Sequence, residues 1–382
     1  MRRVLVLASA IVFVDTTFYS AITPLLPHFE DEFGLSKSAA GVLAGAYAAG
    51  TLVGALPGGY LAAKAGVHAT VLLGLALMTV SSVAFAFADS IGVLDAARFV
   101  QGIGGAASWA GALAWVAGAA PRERRGELIG TTIGAAIAGA LAGPAIGALA
   151  DAVGIAPTFS GIAVVGVLLA AWALRTPPAQ PEGTSPPREV LSSLRDGRVA
   201  GGMWLIAVPG LLFGTVAVLV PLRLDDLGVG AAGIGATWLV AAALESAMSP
   251  VVGRVSDRRG RLFPCVIGLS IGAALMLLFP WPNSAWQLIA LVIVVAPAVG
   301  MLWAPAMALL SDGAEALGIA QGFAFALSNL GWSIGQTAGA AASARLADAT
   351  SDTVPYLLLS GVACVTVAIL ARARRSPALS LT

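Results

Sequence analysis

Three ionisable side chains lie inside long apolar runs of this 382-residue chain: Asp15, Arg98 and Glu245. A charge at the centre of a bilayer costs about 2.5–3.5 kcal/mol on insertion scales, so such residues face a bundle interior or a wet cavity and tend to be functional. Asp15 stands near the middle of the first run, in FVDTTFYS. Desolvation disfavours the charged form of a carboxyl. A carboxyl poised near neutrality can exchange its proton for a cationic substrate, so that one site serves two competing ligands. The plainer role for Asp15 is a hydrogen bond to a neighbouring helix. Arg98 and Gln101 are three residues apart and share one helix face. Arg98 lies about two turns into its run, deeper than a loop charge; its plainer roles are snorkelling to the interface or pairing with Asp95. Glu245 lies about two turns from the inner end of its run. It is a second proton or substrate site, a hydrogen-bonded carboxyl near the inner interface, or a partner for Arg254.

Other side chains inside the runs suggest a cavity lining. Phe18 and Tyr19 follow Asp15 by three and four residues and are expected on its face. Trp109, Gln321, Asn329, Trp332 and Gln336 complete the set, the last three along one helix face. An aromatic wall beside a carboxylate suits lipophilic cations. Trp281 and Trp286, at run ends, fit an interfacial belt. Gly139, Gly143 and Gly147 recur every four residues, a spacing that lets two helix backbones approach closely. Pro144 within that stripe removes a hydrogen bond and bends the helix. The plainer role is generic packing in a glycine-rich chain, since Gly331 and Gly335 share the spacing. No cofactor or metal site is expected. There is no phosphate-binding loop, His28 and His68 sit near run ends, and Cys265 and Cys364 are too few for a disulfide framework.

The elements that must hold these groups are membrane-spanning helices. Apolar types make up 58% of the chain and charged types 11%, against roughly 45–50% and about 25% in soluble domains. That excludes a soluble enzyme and a disordered scaffold. A near-even balance of 21 basic and 20 acidic residues excludes a nucleic-acid binder. Twelve runs are long enough to cross a bilayer: roughly 4–28, 38–62, 68–88, 90–119, 127–150, 155–174, 200–222, 230–252, 263–281, 285–310, 317–344 and 354–372. Alternating strands of a barrel are missing. The first run is too long for a signal-peptide core and holds Asp15, so it reads as a retained span. With both termini in the cytoplasm, inside segments carry 17 of the 21 basic residues, as the positive-inside rule requires. Outside segments lean acidic: Glu30, Asp31, Glu32, Asp225, Asp226, Asp348 and Asp352. The preference for Arg over Lys and the wealth of Ala and Gly point to a GC-rich bacterial source.

One polar insertion divides the runs. Residues 175–198 include TPPAQPEGTSPP, a solvated cytoplasmic linker by composition. It separates an N-terminal six-helix bundle, 1–174, from a C-terminal one, 199–382, with a short cytoplasmic tail. Residues 189–196 suit a short surface helix. The halves share a loop signature: GGYLAAKAGVH at Gly58–His68 and GRVSDRRGR at Gly253–Arg261. Two parallel repeats are the logic of a rocking transporter. Asp257 with Arg258, Arg259 and Arg261 forms a charge cluster that can lock one orientation. The first copy has Ala63 where the acid would be. Ser311–Glu315 reads as an acidic helix start of capping-box type, and Asp312 could partner Lys64 instead.

Several strings together resemble the major facilitator superfamily, over the whole chain. GRVSDRRGR is similar to its inside-loop signature at Gly253, Asp257, Arg258, Gly260 and Arg261. LDAARFVQGIGGAA resembles its R-x-x-Q-G motif at Arg98, Gln101 and Gly102. GAAIAGALAGPAIGAL resembles the antiporter motif at Gly139, Gly143, Pro144 and Gly147. FVDTTFYSAITPLLP places Asp15 and a proline pair as in twelve-span drug/proton antiporters. The resemblance implies an all-α fold of twelve helices in two pseudo-symmetric bundles. It implies that Arg98 faces the cavity and tunes an acid such as Asp15, and that the Gly-Pro stripe seals the cavity. The expected protein is a monomeric, proton-coupled antiporter in the cell membrane, exporting a small organic compound, lipophilic or cationic, by alternating access. A nutrient importer, a uniporter or a non-transporting receptor on the same fold stays open. Lipid, protons and a small-molecule substrate are the expected partners.

Overall fold

A computed structural model describes residues 1–121, 124–177, 187–319 and 321–373. All regular structure in them is helical. The first run forms α1 (Arg2–Ser20), a tight turn at Thr23–Leu25 and α2 (Leu26–Phe33). The break has a local cause: Pro24 has no N–H to offer the carbonyl of Ser20. There follow α3 (Lys37–Lys64), α4 (Val67–Ala86), α5 (Ile91–Ala119), α6 (Arg125–Val153) and α7 (Ile155–Leu174). A short α8 (Pro187–Ser193) precedes α9 (Gly197–Asp226), whose start is capped by the Asp196 carboxylate accepting from Arg198 N at 2.8 Å. Next come α10 (Ala231–Arg259), α11 (Leu262–Met276), α12 (Ala285–Gly300), α13 (Trp303–Ala316) and α14 (Gln321–Thr337). A π-helical turn at Ala338–Ala342, α15 (Ser343–Ala349) and α16 (Thr353–Ala373) complete the described chain.

Nine of the described helical stretches are long and apolar enough to cross a membrane. The other three apolar runs of the sequence also form helices. One is α5, diluted by glycine and carrying Asp95 and Arg98. Another is α11, which is shorter, and the third is α14 to α15, interrupted by the π turn.

The helices fall into two compact units. One is bounded by Met1–Leu25, Ala46–Leu191 and Gly318–Leu330, the other by Leu26–Gly45, Ser192–Leu317 and Gly331–Thr382. In the first unit α1 lies along α6 on the glycine stripe. A side chain at Gly139 would overlap Phe13 and Thr16, one at Gly143 would overlap Ser20, and one at Gly147 would overlap Ala21. Hydroxyls then cross the seam. Thr16 Oγ1 lies 2.8 Å from the carbonyl of Ala136, Thr17 Oγ1 3.1 Å from that of Gly139, and Ser20 Oγ 3.1 Å from that of Ala140. Small residues let the backbones meet, and hydroxyls bond them once they do. The same construction recurs in the second unit. Gly331, Gly335 and Gly339 face Met203, Ala207 and Leu211 of α9, and Thr215 Oγ1 reaches the carbonyl of Gly339 at 3.2 Å.

Some expectations change. Ser311–Glu315 is not a helix start. It lies in the last turns of α13, which runs on through these polar residues to Ala316, and Gly318 at φ +69° follows its end. The surface helix of the linker starts at Pro187, the favoured first position, and stops before Asp196. Two of the loop acids are employed: Asp348 accepts from the backbone N–H of Ser38 and Asp352 pairs with Lys37, each at 2.6 Å.

The seam generates a prediction. Gly143→Val should cost about 1–3 kcal/mol by overpacking, read as a lower thermal midpoint in detergent. Gly134→Ala is the control, since nothing lies within 4 Å of an added Cβ there. Equal midpoints for both variants would contradict the packing described.

Candidate functional site

Asp15 is fully buried within the first unit. Tyr47 of α3 donates its hydroxyl to Asp15 Oδ2 at 2.8 Å, and the indole of Trp109 on α5 donates to the same oxygen at 3.2 Å. Oδ1 is buried without a hydrogen-bond partner. Glycines make this possible. A Cβ on Gly105 would come 2.5 Å from the Tyr47 hydroxyl and within 3.0 Å of both Asp15 oxygens. A Cβ on Gly102 would overlap the carbonyl of Tyr47, so only a bare backbone lets α5 press close enough to α3. Gly50, Gly54 and Gly58 continue that contact against Phe99, Ile103 and Ala106.

Arg98 is also fully buried. Its Nη1 donates to Gln101 Oε1 at 2.7 Å and to the carbonyl of Phe18 at 3.2 Å; its Nη2 donates to the carbonyl of Tyr19 at 3.0 Å. Those carbonyls belong to the last turn of α1, which has no following turn to bond them. A cation at this end is also favoured by the helix dipole. The guanidinium lies 5.4 Å from the Tyr47 ring centre and 5.9 Å from that of Tyr19. Tyr47 thus joins the two charges, its hydroxyl on Asp15 and its ring under Arg98. Arg98 neither snorkels nor takes Asp95 as its hydrogen-bond partner.

Phe18 departs from its expected place. It is 1% exposed and packs with Phe85 and Phe159, at 5.8 and 5.2 Å, where α1 meets α4 and α7. Successive helix residues diverge by about 100°, so Tyr19 turns instead to Tyr47, ring centres 4.7 Å apart.

In the second unit Glu245 is half-buried and accepts a hydrogen bond from Trp303. Its carboxyl lies where a side chain on Gly300 would be. Arg254 is turned away, its Nε bonding the carbonyl of Pro250 at 3.2 Å. Gln336 is 3% exposed, with Oε1 lacking a hydrogen-bond partner, while Asn329 and Trp332 are half-buried. Asp312 forms an ion pair with Arg261, and Lys64 lies over its own helix's Tyr60 ring at 5.6 Å. Gly253 lies within α10, and Arg258 stands in its last turn, just before Gly260, at φ +85°, ends it. The side chains of Asp257 and Gln321 lie outside the described residues. Sequence reasoning missed Tyr47, Gly105, Gly300 and Trp303. Tyr47 carries no charge to mark it, and the glycines are lost among 46.

The comparisons agree with this architecture. The sequence profile of the Major Facilitator Superfamily matches residues 8–336. A chloramphenicol resistance protein of Streptomyces lividans is 29% identical over 275 residues, covering 68% of this chain and 67% of its own. Among solved structures, the xylose transporter XylE of E. coli, in a partially occluded inward-open conformation, superposes with a TM-score of 0.76 at 16% identity. The match covers 97% of each chain. A POT family transporter in complex with 5-aminolevulinic acid superposes at 0.77 and 15% identity, covering 98% of this chain and 96% of its own. At such identities these structures speak to the fold alone.

A double-mutant cycle checks the bond between Tyr47 and Asp15. Tyr47→Phe should cost about 1–3 kcal/mol in the wild-type background, because the carboxyl loses a buried donor. In an Asp15→Leu background, with no carboxyl left to bond, the same change should cost clearly less. Additive effects in thermal or denaturant unfolding would contradict the coupling.

Proposed function

The chain belongs to the Major Facilitator Superfamily of multi-pass membrane transporters, and on that footing we propose that it exports a small organic compound from the cell in exchange for protons. Asp15 carries the proposal. It is a sealed carboxylate with Oδ2 held by two neutral donors and Oδ1 left as the atom to take a proton. Arg98 is held in the same knot, its guanidinium 5.4 Å from the centre of the Tyr47 ring whose hydroxyl bonds Asp15. The named resistance of the Streptomyces relative supports export and makes chloramphenicol the first cargo to try.

In this proposal twelve spans form two bundles, 1–174 and 199–382, both termini are cytoplasmic, and a monomer works by alternating access. Facing out, Asp15 gains a proton. The bundles rock, substrate binding inside displaces the proton, and the loaded carrier returns. Tyr19, Trp109, Asn329, Trp332 and Gln336 line the route. The Gly139–Gly147 seam and the charges around Lys64, Arg258, Arg261 and Asp312 govern the rocking.

The test uses the purified chain in liposomes with an imposed pH gradient. Wild-type flux of labelled chloramphenicol should reverse when the gradient reverses. Asp15→Asn should lower gradient-driven flux about tenfold or more, equal to about 1.4 kcal/mol or more of barrier, while downhill exchange persists. Flux indifferent to the direction of the gradient, or undiminished in Asp15→Asn, would overturn the proposal.

A further inference from the structure

A cavity opens in the first unit where α1 begins, about 18 Å along that helix from Asp15 at 1.5 Å per residue. It holds about 450 Å³, within the roughly 300–1,000 Å³ of small-ligand pockets. Three stretches wall it: Arg2 and Arg3 at the start of α1, Trp115 and Ala119 at the end of α5, and Thr176 and Pro177 just past α7. Hydrogen bonds fix this wall. The buried Trp115 indole donates to the carbonyl of Pro177 at 3.2 Å, and Thr176 Oγ1 donates to the carbonyl of Trp172 at 2.9 Å. His68 Nε2 lies 2.6 Å from the carbonyl of Ala173, and its ring packs on that of Trp115, centres 5.2 Å apart. The chain leaving α7 is thereby pinned to α4 and α5, and the hollow is part of the packed fold.

With the indole and the hydroxyl committed, the polar chemistry left in the wall is cationic. No carboxyl lines the cavity. Arg2 and Arg3 are exposed, and neither guanidinium has an ion pair or hydrogen bond among the described residues. Arg175, also exposed, directly precedes Thr176. α1 starts here with no side-chain cap and no acid in its first turn, so the N–H groups of that turn are open to an anion. The positive-inside rule accounts for arginines at a helix end. It does not call for a hollow beside them free of acids. Guanidinium groups grip phosphate oxygens in pairs. The remaining wall, at Val4, Trp115, Ala119 and Pro177, is apolar. It suits the esterified carbon chain that follows the phosphate of a lipid and gives a free phosphate nothing to bond. Ends of membrane-spanning helices also lie at headgroup depth.

We propose that Arg2, Arg3 and the cavity beside them bind the headgroup phosphate of an anionic phospholipid, which staples the start of α1 to the end of α5. The site goes beyond the export reading and depends on neither proton nor cargo. The full-length protein, its purification tag at the C-terminus, is titrated in neutral detergent with dioleoyl phosphatidylglycerol, and bound lipid is counted by native mass spectrometry. One lipid should bind saturably and raise the thermal midpoint. Arg2→Gln/Arg3→Gln should weaken that binding about tenfold or more, the loss of charge-assisted bonds. Ala119→Trp, which fills the cavity and spares the charges, should weaken it several-fold. Arg188→Gln/Arg198→Gln removes two other exposed arginines and should leave it within about twofold. Dioleoyl phosphatidylcholine, with the phosphate but no net charge, should bind far more weakly, and millimolar inorganic phosphate should not displace phosphatidylglycerol. If Ala119→Trp does not fold, the arginine pairs decide. Absence of saturable binding, wild-type affinity in the Arg2/Arg3 variant or in folded Ala119→Trp, or equal loss in both arginine pairs would overturn the proposal. So would equal binding of phosphatidylcholine, or displacement by inorganic phosphate, which would assign the cavity to the free ion.

Discussion

Charge inside a membrane must be answered by protein, because lipid offers no hydrogen bonds. Much of the first unit can be understood as the answer to Asp15 and Arg98. Arg98 spends its guanidinium on the open end of α1 and on Gln101. Asp15 spends one oxygen on Tyr47 and Trp109. Tyr47 ties the two together, so the carboxyl sits in the field of a cation it does not touch through a hydrogen bond.

Such a knot requires backbones closer than ordinary side chains allow. The three helices that build it, α1, α3 and α5, meet their neighbours at glycines. Gly102 and Gly105 admit Tyr47 and the carboxyl, and Gly139, Gly143 and Gly147 let α6 grip α1 through its hydroxyls. Glycine weakens a helix by about 1 kcal/mol relative to alanine in water. Here it is what brings the polar groups within reach of each other. The stripe that resembles an antiporter motif is, in the fold, the clamp on the helix that carries Asp15.

Much of this was legible beforehand. Run lengths and the placement of arginine announced a bundle of membrane helices, and scarcity of charge picked out Asp15, Arg98 and Glu245. Their polar partners were less visible. Tyr47 is uncharged and sits in a run of alanines and glycines. Trp303 could have been found from its separation from Trp109, had the repeat been carried into the spans. Phe18 was misplaced because three and four residues along a helix point in different directions. The acidic helix start at Ser311 was misjudged because a polar residue near a span end resembles a cap, and only Gly318 marks the real stop.

The proposed exchange places the carried proton on Asp15. The most direct measurement follows proton release from the purified, weakly buffered protein when substrate is added, using a pH indicator. The account predicts release from the wild type and none from Asp15→Asn at saturating substrate. Release of equal size from both proteins would contradict it and move the proton elsewhere in the chain.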